Sequence, residues 1–342
     1  MSLQLRRTLC GCLVALVLGL AAGAAAAAER GATLKIATIA PRGSVYHRVL
    51  QEVGEAYRNA YGGQARAIVY ADSVQGTEPD TVRRMRIGQL DVSMLTVVGL
   101  QEIDPAVTAL QYMPMVFRNW DEVDFVRERL RPALEERVAA KGFVVLFWGE
   151  AGWVQFFTKD RITRPDEYRR TRVFAWAGDS AQIGLMKSLG YNPVSLQVTD
   201  LLPGLESGMI DTAPVAPMWA LWGQIDRVTK YMLPVNWVPI AGATVMRRQA
   251  FDALSPAARE AVLAASAKAG TQLRAHRSQQ DEESIRAMQA RGLTVLPLTA
   301  EVEEAWRKVA EQSWPKVRGS MVPPDMFDRA QALVAEYRAG RK

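Results

Sequence analysis

TLKIATIAPRGSVYHRVLQEVGEAY, residues 33–57, decides the fold class. Thr33-Leu34-Lys35-Ile36-Ala37 alternates with the period of a strand, Pro41-Arg42-Gly43 turns the chain, and Ser44 is placed to cap a helix. That helix carries Val45, Val49, Val53 and Tyr57 on one face. A strand, a turn and an amphipathic helix in this order are one β-turn-α unit, and the pattern repeats outward from it. Strands are expected at 65–70 and 90–95, with a short helix at 78–87 ended by Gly88. The stretch 121–140 reads as a helix with Phe125, Leu130, Leu134 and Val138 inward and Gly142 as its stop, leading into a buried strand at 143–148.

A second region starts near 155–158 and repeats the alternation: strand at 172–175, helix at 180–189, strand at 194–196. Thr199 or Asp200 then caps a helix through Ser207, and 209–211 leads into another strand. The stretch 254–290 is one long helix capped at Ser255-Pro256. A last strand at 293–298 precedes helices at 300–318 and 324–338. The fold class is therefore α/β: two lobes with largely parallel sheets, a cleft between strand ends, and a long helix crossing both. Residues 29–154 with roughly 244–300 form the first lobe, and 155–243 with roughly 301–342 the second. Packing across both lobes, rather than a dimer contact, is the expected use of the long helix, and a monomer is expected.

The amino terminus reads as a cleaved secretory signal. Arg6 and Arg7 precede an apolar run over 9–20 and an alanine-rich end at Ala26-Ala27-Ala28, so the cut falls near Ala28 and the chain works in the periplasm. An uncleaved anchor is the alternative, because 9–28 nearly spans a bilayer, although alanine inserts weakly.

Both cysteines, Cys10 and Cys12, lie in that segment, which excludes disulfides, thiolate nucleophiles and Cys–zinc sites from the rest of the chain. Lys and Arg outnumber Asp and Glu by 42 to 36 over the whole chain. They are interleaved with the acids rather than clustered, so a nucleic-acid partner is not expected. The two histidines, His47 and His276, sit on separate helices with no HExxH, GxSxG or phosphate-loop string to recruit them. No metal and no cofactor are expected.

Aromatic and apolar residues gather at expected strand ends: Trp148, Trp153, Phe156, Phe174, Trp176, Met218, Trp219 and Trp222. Cleft walls and cores both look like this. Period two places Arg172, Phe174 and Trp176 on one face of a strand, where a planar guanidinium is suited to gripping a carboxylate with two parallel hydrogen bonds. The plainer reading of Arg172 is a surface ion pair, and of Glu150, at the end of a buried strand, an ordinary salt-bridged carboxylate.

From Thr33 to about Trp314 the chain resembles the solute-binding proteins of tripartite ATP-independent periplasmic (TRAP) transporters, of the C4-dicarboxylate-binding type. LQYMPMVFR (110–118) is similar to that family's lPflF string, PDEYRRTRV (165–173) to peDlkGlKiRv, LGYNPV (189–194) to lGanPv, and DLLPGLESGMID (200–211) to EvytaLqtGvvDg. The resemblance implies a periplasmic binding protein-like fold that closes on an organic acid and hands it to the transporter's membrane subunits, with Arg172 as carboxylate anchor. Two departures modify it. Gly152-Trp153-Val154 has valine where the family has a second arginine, and DTAPVAP (211–217) replaces amide side chains with apolar ones. A distal polar group would go unpaired there, so a monocarboxylate with an apolar or aromatic body is expected. Its walls are Trp176, Trp148, Trp153, Phe174, Pro214, Met218 and Trp219, with Glu150, Gln75 and Ser44 contributing. A secreted hydrolase or lyase using Glu150 or Asp211 with Arg172 is the rival reading, and a ligand-presenting protein for a sensor kinase a third.

Overall fold

The computed structural model describes residues 33–341; the segment read as a signal lies outside them. Strand β1 (Thr33–Thr38) is followed by helix α1 (Val45–Ala60), β2 (Arg66–Tyr70), α2 (Glu78–Arg86), β3 (Val92–Thr96) and the short α3 (Val97–Leu100). Next come α4 (Trp120–Ala140), β4 (Phe143–Trp153), β5 (Gln155–Thr158), α5 (Pro165–Tyr168), β6 (Arg172–Trp176), α6 (Ser180–Ser188) and β7 (Asn192–Leu196). The chain continues through α7 (Leu201–Glu206), β8 (Thr212–Val215), α8 (Pro217–Trp222), β9 (Tyr231–Leu233), β10 (Pro239–Arg247) and α9 (Arg248–Asp252). It ends with α10 (Pro256–Gln289), β11 (Thr294–Val295), α11 (Ala300–Ser320) and α12 (Pro324–Ala339).

The opening unit forms as its sequence dictates. The Ser44 hydroxyl accepts the His47 N–H at 3.2 Å, occupying one of the free donors of the first turn of α1. Val49, Leu50 and Val53 are then fully buried.

Two sheets result, ordered β2-β1-β3-β10-β4 and β11-β9-β5-β8-β6-β7. Both are mixed rather than largely parallel. In the first, β1 runs parallel to β2 and β3, whereas β10 lies antiparallel between β3 and β4. In the second, β5 is antiparallel to β8 and β9. Strand β10 escapes sequence reading because it is almost wholly buried and carries no alternation. Its Gly242 is obligatory: a Cβ there would lie 2.4 Å from the Leu95 carbonyl oxygen.

The boundaries shift accordingly. All of β10 belongs to the first sheet, while β11, shorter than expected, pairs with β9 in the second. The tail divides as well. Helix α11 packs on α5 and α6 of the second lobe, and α12 returns to α4 of the first. There Arg338 donates to Glu122 and to the Val116 carbonyl, both at 2.8 Å.

Two strand connections cross between the lobes side by side. Only Val154 separates β4 from β5, and the return path runs through Trp237 and Val238 into β10. The Val154 N–H donates to Val238 O at 2.9 Å and the Trp237 N–H donates to Val154 O at 3.1 Å. Gly152, just before the crossing, has φ 88°, and a Cβ there would meet Asp281 Oδ1 at 2.6 Å. Helix α10 spans the same divide. Lys268 meets Glu52 of α1 at 3.2 Å, and Arg291, just past the helix end, pairs with Asp226 of the second lobe at 2.7 Å.

Candidate ligand-binding cleft

Between the lobes lies a cavity of about 110 Å³ whose floor is the pair of crossing strands, represented by Val154, Trp237 and Val238. The first lobe supplies Thr96, Val98, Gln111 and Tyr112; the second supplies Phe156, Tyr168, Trp176, Asp179, Pro214 and Trp219. Strand ends converge here, as expected for an open α/β sheet whose binding crevice lies beyond the carboxyl ends of its strands. The walls are ring-rich. Trp176 and Trp219 meet edge to face with centroids 5.8 Å apart, and Phe156 stacks on Trp306 at 4.5 Å. Such contacts add roughly 0.5–1.5 kcal/mol each beyond area burial, so the aromatic wall is stiff before any ligand arrives.

A smaller cavity of about 50 Å³ adjoins it through the shared residues Thr96, Trp219 and Ile240, and is bordered by Tyr46, Glu78 and Glu150. Glu150 is 2% exposed and lies between two guanidiniums, Arg127 and Arg277 Nη1, the latter at 2.9 Å. Both arginines also donate to Asp124, at 2.8 and 2.6 Å, and Arg277 lies 4.4 Å over the Trp120 ring. This network joins α4, β4 and α10, and its buried charges are mutually compensated.

Asp179 is held differently. It follows β6 and caps α6, accepting the Gln182 N–H at 3.0 Å and, across the lobe divide, the Tyr112 hydroxyl at 2.5 Å. Burial raises its pKa against the effect of both bonds. Glu78, on α2, accepts Thr96 N–H at 2.6 Å, Thr96 Oγ1–H at 2.5 Å and Gly99 N–H at 3.1 Å. Burial nevertheless pushes Glu78 up to about 7, with the Asp179 charge adding to the rise. Asp281, beside the crossing, is likewise pushed up to about 7 by burial, although the Trp153 N–H donates to it at 3.3 Å.

Of the residues singled out in the sequence, Trp176, Pro214 and Trp219 line the main cavity and Glu150 the smaller one. The others lie elsewhere. Trp148 points at α4, where its indole N–H donates to Glu135 at 3.0 Å, and Trp153 packs on Trp120 with centroids 4.9 Å apart. Phe174 and Met218 are 1% exposed core residues. Ser44 is spent on capping α1, and half-buried Gln75 borders none of the cleft cavities.

Arg172, the expected carboxylate anchor, borders none of the cleft cavities. Arg172 opens β6, with its side chain 53% exposed, and grips Asp211 through Nε at 2.8 Å and Nη2 at 2.7 Å. That bond holds the Asp211 carboxyl below its ordinary range. Sharing a strand face with Trp176 does not mean sharing an end. Four residues of strand, roughly 13 Å, separate Arg172 from the cleft. Counted without a gap from Pro165, the family string peDlkGlKiRv places its arginine at 174, which is Phe here. At Val154, where the other family arginine would fall, the structure does put the side chain in the cavity lining.

Fold and cleft together define a two-lobed solute-binding protein of the extracellular type. The chain belongs to family 7 of the bacterial extracellular solute-binding proteins, the DctP family, whose model matches residues 36–319. The C4-dicarboxylate-binding periplasmic protein of Rhodobacter capsulatus is 22% identical over 261 residues, covering 76% of this chain and 77% of its own. Two solved structures share the fold. One is a TRAP periplasmic solute-binding protein from Sulfitobacter sp. NAS-14.1 with bound β-D-galacturonate: TM-score 0.79, 19% identity, covering 89% of this chain and 99% of its own. The other is a Bordetella pertussis extracytoplasmic solute receptor binding pyroglutamic acid: TM-score 0.80, 18% identity, 89% and 99% coverage.

Proposed function

We propose that this chain is the extracytoplasmic, periplasmic solute-binding component of a TRAP transporter, which holds a small molecule in the inter-lobe cleft and delivers it to the transporter's membrane subunits. The observation that carries this reading is the cavity itself: both lobes line it, the crossing strands floor it, and Tyr112 to Asp179 already links its two sides. Binding rather than turnover fits the same geometry. Of the groups a hydrolase or lyase would use, Asp211 and Arg172 are spent on each other at the far end of β6, and Glu150 is neutralised by Arg127 and Arg277.

Of the monocarboxylate expected from the sequence, the apolar or aromatic body is what the lining supports. Relatives that bind β-D-galacturonate or pyroglutamic acid suggest an acid, but Arg172 is not available to clamp one. The aromatic body is testable by native mass spectrometry of the purified protein. A retained small molecule should be present in the wild type and lost in Trp176→Ala. A molecule retained equally in the variant, or one converted to a new mass on incubation, would refute cleft binding without chemistry.

A further inference from the structure

Helix α6 lies over empty space. It buries none of its nine residues, whereas α2, of equal length, buries Pro79, Val82 and Met85 among others. Composition does not explain the difference, because α6 contains Ile183, Leu185 and Met186, apolar side chains that a filled core beneath the helix would cover. Its residues Gln182, Leu185 and Met186, with Leu189 at the helix end, instead border the main cavity. Trp306 and Ser313 of α11 border the same space, and so do Phe156 and Tyr168. The cavity therefore continues past the lobe divide, by way of Pro214, into a chamber of the second lobe between α6 and α11.

Two orphan donors mark the two ends of this space. Trp219 Nε1 and the Tyr168 hydroxyl, on residues each 4% exposed, have no hydrogen-bond partner. Trp219 stands at the lobe divide, since it also borders the smaller cavity together with Tyr46 and Thr96 of the first lobe. Tyr168 stands inside the second lobe, in edge contact with Phe156, Tyr191 and Trp306 at centroid distances of 4.8, 5.8 and 5.4 Å. Burial pushes the Tyr168 hydroxyl well above its ordinary range, so it keeps its proton to donate. Buried donors are normally paired, so each of the two marks where an acceptor atom is due. The cavity volume, about 110 Å³, is somewhat below the roughly 150 Å³ that accepts a benzene ring, so the body that fits is about one ring in size.

We infer that the chamber under α6 is a specificity subsite for the far end of an acid: the carboxylate stays at the lobe divide on the Trp219 side, the ring lies against Leu185, Met186 and Leu189, and an oxygen on its remote edge accepts from the Tyr168 hydroxyl. The ligand class is then an aryl carboxylic acid that bears a hydroxyl or ether oxygen on its ring. This inference rests on the cleft-binding reading above and extends the site into the interior of the second lobe.

The test is calorimetric titration of the full mature chain with three acids: pyroglutamate, too short to reach the chamber from the lobe divide, 3-phenylpropionate, and 3-(4-hydroxyphenyl)propionate. The hydroxylated acid is expected to bind about fivefold more tightly than 3-phenylpropionate, which is what one neutral hydrogen bond contributes, and both aryl acids about tenfold or more above pyroglutamate. Tyr168→Phe should bring the ratio of the two aryl acids to about one while leaving 3-phenylpropionate as it was. Met186→Trp fills the chamber from a helix that buries no residue, and should weaken both aryl acids tenfold or more. The aryl ratio is taken within each protein, so a change in stability does not imitate the effect. An aryl ratio near one in the wild type, a ratio unmoved by Tyr168→Phe, aryl affinities unmoved by Met186→Trp, pyroglutamate binding as tightly as the aryl acids, or no binding of either aryl acid at millimolar concentration would each overturn the inference. If an acid binds and Trp176→Ala abolishes its binding while Met186→Trp does not change it, the chamber falls and the cleft reading stands. If Trp176→Ala and Trp219→Ala both leave binding unchanged, the cleft reading itself falls.

Discussion

Two sets of carboxylates near the centre of this molecule are stabilised in opposite ways. Glu150 sits in a closed network with Arg127, Arg277 and Asp124, whereas buried Asp179 and Glu78 and half-buried Asp281 meet hydroxyl and backbone donors alone. The first arrangement ties α10 to the first lobe. The second has no countercharge, and burial raises the pKa of each of its carboxyls instead. The contrast separates framework from cleft more clearly than the aromatic residues do, because tryptophans occur in both.

The largest expected effect comes from breaking the compensated set. Glu150→Ala leaves two guanidiniums facing each other in a buried site and should cost about 3–5 kcal/mol, read from the urea midpoint. Replacing Glu150, Arg127 and Arg277 together by Leu, Met and Leu should recover most of it; a triple variant no better than the single one would mean the network does more than balance charge.

The uncompensated set should show itself in pH dependence. Glu78 has its pKa raised by folding, so the stability it contributes is complete below pH about 4.5 and is lost as pH climbs through about 7. Across that window the wild type should lose roughly 2–3 kcal/mol on this account, and Glu78→Gln should flatten the slope of Tm against pH while shifting Tm by a constant offset. An unchanged slope would place Glu78 with the compensated acids.

Gly152→Ala probes the third uncompensated acid. The methyl would press on Asp281 at a residue with φ 88°, and the expected cost is about 1–3 kcal/mol by thermal denaturation. Asp281→Asn in the same background should not restore it, since the backbone strain persists.

The smallest effect belongs to an exposed, compensated pair. Arg172→Ala should leave the affinity of any cleft ligand unchanged in titration, because its guanidinium is spent on Asp211 outside the cavity. A tenfold loss would return Arg172 to the site.

Most of the architecture was legible in the sequence because it rests on local signals. Ser44, Gly88, Gly142 and Ser255 mark helix ends, and the strand runs between them can be read by period. What escaped was context. β10 has no alternation because both its faces are buried, and α12 carries no mark of which lobe it will pack on. Within the cleft, period two identified Trp176 but could not say at which end of β6 the cavity opens, so Arg172 was drawn in with it. Asp179 caps α6 and Glu78 sits in the first turn of α2, local roles that carry no mark of a cleft. Only folding brings Asp179 to one cavity with Tyr112, from a string whose signal was a family likeness, and Glu78 to the smaller cavity beside it.

Helix α10 has a mechanical consequence. Arg277 fastens its middle to the first lobe through Asp124 and Glu150, and Arg291 fastens the end of its run to Asp226 of the second. Some fourteen residues, roughly 20 Å of nearly rigid rod, bridge those two fastenings. Any swing of one lobe against the other must flex this rod or slip one of its ends. The helix is then a leaf spring in parallel with the crossing strands, resisting any such swing.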